Sequence, residues 1–111
     1  MAINFNKFTL KAQEAVQAAG EIAASYSNQQ IDNPHLLAAI VQDADSLASS
    51  IIKKISGSTD IIRVKVNSLI EKLPKVSGAT TSNIYLSNNL QQVFDNAFKE
   101  AGRLKDDFVS I

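Results

Sequence analysis

At 111 residues, with 45% apolar side chains and no cysteine, the chain has the length of one small domain that folds without disulfides or thiolate metal sites. Eleven basic and eleven acidic side chains cancel, which removes any bulk pull toward nucleic acid or an anionic membrane surface. No leader-like segment precedes Phe8 and no apolar run approaches membrane-spanning length, so a cytoplasmic domain with no nucleic-acid and no membrane partner is expected.

Met1 to Phe8 carries two aromatics, Phe5 and Phe8. Either they tuck against the body of the domain or Phe5 forms the lip of a binding groove. Thr9 is placed to cap a first helix running to about Ser25, whose face reads Ala12, Ala15, Val16, Ala19, Ala23, Tyr26, one stripe on a 3.6-residue period. Tyr26 to Gln30 reads as a turn. Asn33-Pro34 opens a second helix, with Asn33 as N-cap and Pro34 at the first helical position, and Leu36, Leu37, Ile40 and Val41 as its apolar set.

Asp43 or Asp45 is expected to cap a third helix with Leu47, Ala48, Ile51, Ile52 and Ile55 on one face. Lys53 and Lys54 fall in its last turn, where cations suit the helix dipole, and Gly57 is the expected left-handed stop. From Thr59-Asp60 to before Pro74 the pattern is mixed. Ile62, Val64 and Val66 alternate as in a strand, while Val66, Leu69, Ile70 and Leu73 keep helical spacing; length and helical neighbours decide for a helix. Pro74 to Asn83 is linker-like. Ser87 caps a fifth helix to about Leu104, Lys105-Asp106-Asp107 makes a turn, and Phe108, Val109 and Ile111 are expected to leave an apolar edge where a further helix would pack.

Sliding the sequence against itself by 78 positions places Ala12, Ala15, Val16, Ala19, Ala23 and Tyr26 on Leu90, Val93, Phe94, Ala97, Ala101 and Leu104. Thr9 then falls on Ser87, both of them caps, and Ile31 on Val109. Matching faces, caps and an apolar residue beyond each turn indicate a duplication. The expected fold class is all-α, a small helical domain built from a duplicated repeat with its second repeat truncated: repeat one at about 8–57, a connecting helix and linker at about 59–84, and a partial repeat two at about 85–111. The two long helices should be related by a pseudo-two-fold.

Catalytic constellations are missing. His35 has no cysteine or second histidine with which to share a metal and reads as a first-turn side chain bonding locally. There is no phosphate-cradling glycine loop, Asp106-Asp107 lacks the ligand alternation of a calcium loop, and Lys72 and Lys75 are too few for a nucleic-acid face. The domain is read as non-enzymatic, with no metal and no cofactor of its own. Phe98 stands out because its repeat partner is Gly20. It either reaches solvent at a groove lip as an anchor for an apolar segment, with Asp106 accepting a backbone N–H or a basic side chain, or fills space beside Phe5 or Phe8. Asp107 joins Asp106 in the acidic turn, as a contact site or as a solvated turn.

The runs "NKFTLKAQEAVQAA", "NQQIDNPHLLAAIV", "LPKVSGA" and "DDFVSI", in this order, resemble the amino-terminal domain of the Hsp100/Clp chaperones, and "LPKVSGA" is more similar to the ClpB type. The resemblance implies a mobile substrate-recruiting domain that binds unfolded or aggregated polypeptide. It would be tethered to a ring of ATPase modules that bind ATP and magnesium in a full-length homo-hexamer. By the match of "DDFVS" it also implies that Asp106 contacts substrate. Asn96 and Glu100 depart from the pattern, being polar where relatives tend to carry apolar groove residues. The alternative is an adaptor-docking domain of a protease-linked Clp unfoldase of the ClpA or ClpC type. Sequence downstream separates the two, through a coiled-coil insertion for a disaggregase or a peptidase-docking tripeptide for an unfoldase.

Overall fold

The computed structural model describes residues 5–43, 46–76 and 84–111. A single 3-10 turn, Phe5–Lys7, leads into α1 (Leu10–Ser25), β1 (Gln30–Ile31), α2 (Asn33–Gln42), α3 (Leu47–Ser56), α4 (Asp60–Glu71), β2 (Tyr85–Leu86) and α5 (Asn88–Arg103). The architecture is all-α; its strands are two residues each.

Capping chemistry starts the two long helices. Thr9 Oγ1 accepts from the Ala12 N–H at 3.2 Å and Ser87 Oγ from the Leu90 N–H at 3.1 Å, each satisfying one otherwise orphaned donor. The buried residues of α1 are four alanines and Gly20, and these small side chains let α2 lie close along it. On the next layer, Val66 and Ile70 of α4 are buried one turn apart, with α4 packed along α2. The strand-like alternation dissolves because Val64 faces solvent. Arg63 Nη2 donates to the Val41 carbonyl at 2.9 Å, satisfying one acceptor at the end of α2.

The duplication is written in the hydrogen bonds. β1 pairs in parallel with β2, Ile31 opposite Leu86, and Phe8 forms a parallel bridge with Val109. These are one contact seen twice, since Phe8 matches Leu86 and Ile31 matches Val109. Accordingly the Ser87 N–H donates to the Ile31 carbonyl at 2.9 Å and the Thr9 N–H to the Val109 carbonyl at 2.8 Å. Each repeat's entry is tied to the other's exit, and the cluster of Phe8, Ala12, Leu90, Phe94 and Val109 fills the seam.

Three expectations need correction. Asp32, not Asn33, caps α2: its backbone is extended and its Oδ1 accepts from the Asn33 N–H at 2.8 Å. Starting one residue earlier puts His35 at the third helical position, where it completes a capping box usually closed by Glu or Gln. Ser46, neither Asp43 nor Asp45, caps α3, with its Oγ accepting from the Ser49 N–H at 3.1 Å. Asp43 contributes its carbonyl, which accepts from Ser49 Oγ at 2.7 Å, and Asp45 lies outside the described residues. Finally, the apolar face of α3 is not a core face. Leu47 and Ile55 are 74% and 81% exposed, and Ser49 is the buried residue, because α3 meets α2 through its polar first turn. Gly57 does stop α3 at φ 81°, donating to the Lys53 carbonyl at 2.7 Å. Of the linker-like stretch, residues 77–83 lie outside the described residues.

Candidate functional site

The aromatic candidates gather at the seam between the repeats. Phe8 precedes the cap of α1 and is buried, while Phe94 and Phe98 lie one turn apart on α5. Phe8 packs edge-on to Phe94 with ring centroids 5.3 Å apart, a preferred geometry for a ring pair. Phe5, held by the 3-10 turn, stands edge-on to Phe8 at 5.4 Å and to Phe94 at 6.1 Å, and Phe98 tilts against Phe8 at 5.3 Å. Phe8 is thus the ring on which both candidates rest. Phe98 is half-buried against the core, whereas Phe5 keeps 37% of its surface in solvent.

Beside Phe5 lies an open cavity of about 390 Å³ lined on its apolar side by Phe5, Val16, Ile31, Ile84 and Leu86. Gly20 belongs to the same wall, where a Cβ would make an ordinary van der Waals contact at 3.4 Å from Ile31 Cδ1. The opening between the repeats is therefore greasy, with Tyr85 and Glu21 at its rim.

The acidic candidates follow from how α5 ends. Leu104 N–H still bonds the Glu100 carbonyl at 2.9 Å, and Lys105 then turns left-handed at φ 61°. That reversal sends the Asp106 N–H back to the Ala101 carbonyl at 2.8 Å, in the manner of a helix C-cap. Ala101 lies one turn beyond Phe98 and packs on the same core cluster, so the structure brings the Asp106 backbone to the Phe98 end of the seam. Asp106 and Asp107 are both exposed. The chain then runs to Val109, whose N–H donates to the Lys7 carbonyl at 2.7 Å, beside Phe8. Asn96 and Glu100 are also exposed, Glu100 pairing with Arg103 at 2.8 Å.

The repeat-one counterpart of Asp106 is Asn28, which sequence reasoning took for part of a plain turn. It is 2% exposed and bonded to His35. The available signal was the match of Asn28 to Asp106 under the repeat shift, a polar residue kept at the same place in both turns. His35 does bond locally, accepting from the Asp32 N–H. Among the described residues no three of His, Cys, Asp or Glu are grouped so as to hold a metal ion, and no helix there is long and apolar enough to cross a membrane.

Residues 7–111 match the model of the Clp repeat (R) N-terminal domain. The chain is 37% identical over 111 residues to the chaperone protein ClpB of Bacillus cereus, covering 98% of this chain and 13% of that protein. It is 41% identical over 106 residues to ClpB 2 of Synechocystis, covering 96% of this chain and 12% of that one. It therefore spans only a small part of the length of these relatives. Among solved structures, the Hsp104 N-terminal domain from Candida albicans superposes with a TM-score of 0.79 at 25% identity, covering 94% of this chain and 67% of that one. The N-domain of ClpV from Vibrio cholerae gives a TM-score of 0.77 at 13% identity, covering 95% and 61%, which is a likeness of fold alone.

Proposed function

Because the chain belongs to the family of Clp repeat (R) N-terminal domains, we propose that it recruits unfolded or aggregated polypeptide to a ClpB-type disaggregase. The observation that carries this reading is the match to ClpB chaperones over 98% of the chain. In the whole protein, ATP and magnesium belong to ATPase modules that would assemble as a homo-hexamer, and this domain acts by binding alone.

The geometry supports a weak, sequence-tolerant grip. An extended apolar segment entering between the repeats meets Phe5 and the apolar wall of the cavity; at the other end of the seam it meets Phe98. Fully burying an exposed ring of this size contributes on the order of 1.5–3 kcal/mol, and Phe5 and Phe98, already partly covered, each add a part of that. The exposed carboxylates of Asp106 and Asp107 accept backbone N–H groups or basic side chains, so basic residues beside the apolar segment are favoured. Two such anchors after the cost of ordering the segment correspond to a Kd of roughly 10 μM to 1 mM.

An NMR titration with an unfolded apolar peptide tests this. Wild type should shift at residues around Phe5, Phe98 and Asp106, and Phe98→Ala and Asp106→Ala should each weaken binding severalfold while the fold is retained. Peptide binding that is undiminished in both folded variants would remove these residues from the site.

A further inference from the structure

Repeat one contains a buried polar relay that polypeptide binding leaves unused. His35 and Asn28 are 0% and 2% exposed. The His35 ring bridges two groups: Nδ1 accepts the Asp32 backbone N–H at 2.9 Å, and Nε2 lies 2.9 Å from Asn28 Oδ1. A backbone N–H can only donate, so Nδ1 holds the lone pair and the proton of the neutral ring sits on Nε2. Nε2–H then donates to Oδ1. That orients the Asn28 amide so that its Nδ2 donates to the Pro74 carbonyl at 2.9 Å. The relay runs from the cap of α2, through the ring, through the turn after α1, to the strap that leaves α4. Next to it the Val76 N–H donates to the Ser27 carbonyl at 2.7 Å, and the Lys75 ammonium sits over the Tyr26 ring at 5.4 Å.

We propose that this relay is an acid-sensitive latch: a proton added to His35 Nδ1 unfastens the strap at residues 74–76 from the turn after α1 while the helices stay folded. The protonated Nδ1 would point a hydrogen at the Asp32 N–H, leaving two donors face to face and a cation buried. Turning the ring to escape that clash takes Nε2 away from Asn28, and the amide loses the partner that aims it at Pro74. Of the charged groups around the ring, Asp32 on its own element attracts the cation. The turn after α1 presents the neutral amide of Asn28. The strap presents the Pro74 carbonyl through that amide, while Lys75 is paired with Glu71 at 3.4 Å. Burial lowers the His35 pKa from 6.5 by more than the charge of the Asp32 carboxylate raises it. The ring is therefore neutral, and the latch closed, above 6.5; it opens as pH falls through the lowered value. This inference does not depend on the proposed substrate.

The test is amide hydrogen exchange on the whole chain, followed by NMR from above pH 6.5 into acid, together with the His35 ring nitrogen shifts. Expected at the start is the Nε2–H tautomer. On acidification the Asp32 and Val76 amides should lose about tenfold of their protection, corrected for intrinsic exchange, at the midpoint of the ring titration, while amides in mid-α1 and mid-α5 keep theirs. In Asn28→Ala, the Val76 amide should already be weakly protected at neutral pH and insensitive to acid, while the Asp32 amide still follows the ring. The wild-type measurement decides even if that variant folds poorly. A Val76 amide that ignores the ring titration, or loss of protection in every element at one midpoint, overturns the latch.

Discussion

Ser27 at φ 58° and Lys105 at φ 61° open turns in which the next N–H, of Asn28 or Asp106, reaches back 2.8 Å to Ala23 or Ala101. The backbones are copies; the side chains part company. Asn28 is roofed by His35 of α2 and holds the strap, whereas Asp106 faces solvent. Duplication thus supplied one scaffold twice, and burial assigned its two turns different work. In one the polar residue organises the interior, and in the other the acid faces solvent. The exchanged pairing of Phe8 with Val109 and Ile31 with Leu86 keeps both turns in register with the seam.

Matched substitutions sharpen the comparison. The largest difference is expected at Phe94 and its counterpart Val16. Phe94→Ala should cost about 3–5 kcal/mol in urea unfolding, since it empties the centre of the aromatic cluster, and Val16→Ala, at a half-buried site, less than half of that. Equal losses would mean that the rings do not hold the seam.

The turns come next. Asn28→Ala leaves His35 and the Pro74 carbonyl unpaired in the interior and should cost about 1–3 kcal/mol. Asp106→Ala should stay within about 0.5 kcal/mol of wild type and lose peptide affinity instead. The relay also gives the stability a pH dependence of known sign. His35 has a folded pKa below 6.5, so the unfolded chain takes up its proton first. This contribution is whole above 6.5 and is lost as pH falls through the folded value. A urea midpoint that rises over that interval would contradict the neutral, buried assignment.

The caps should differ least. Thr9→Ala should cost about 1 kcal/mol, as a lost N-cap does. Ser87→Ala should cost somewhat more, because Ser87 Oγ also donates to Asp32 Oδ1 at 2.8 Å across 55 residues. Identical thermal shifts for the two would show that the bridge to Asp32 adds nothing.

What the sequence by itself determined is local or repeated. The alanine stripe of α1, the Thr9 and Ser87 caps and the Gly57 stop act within one or two helical turns, so their effects can be read without neighbours. The repeat shift carried the equivalence of the two long helices and pointed to Phe98, whereas Asp106 and Asp107 stood out through the acidic turn after α5 and the match of "DDFVS". What only the tertiary structure decided joins distant residues. Asn28 and Pro74 are 46 positions apart and Asp32 and Ser87 are 55 apart, and no local rule connects them. The cap of α2 was misplaced for this reason, because Asp32 answers to Ser87 and His35 together. The face of α3 misled in the opposite sense. Its spacing is helical, but spacing says only that Leu47, Ile51 and Ile55 share a side. Whether that side is covered depends on where the helix meets its neighbour, and Ser49 bonding the Asp43 carbonyl turns it outward.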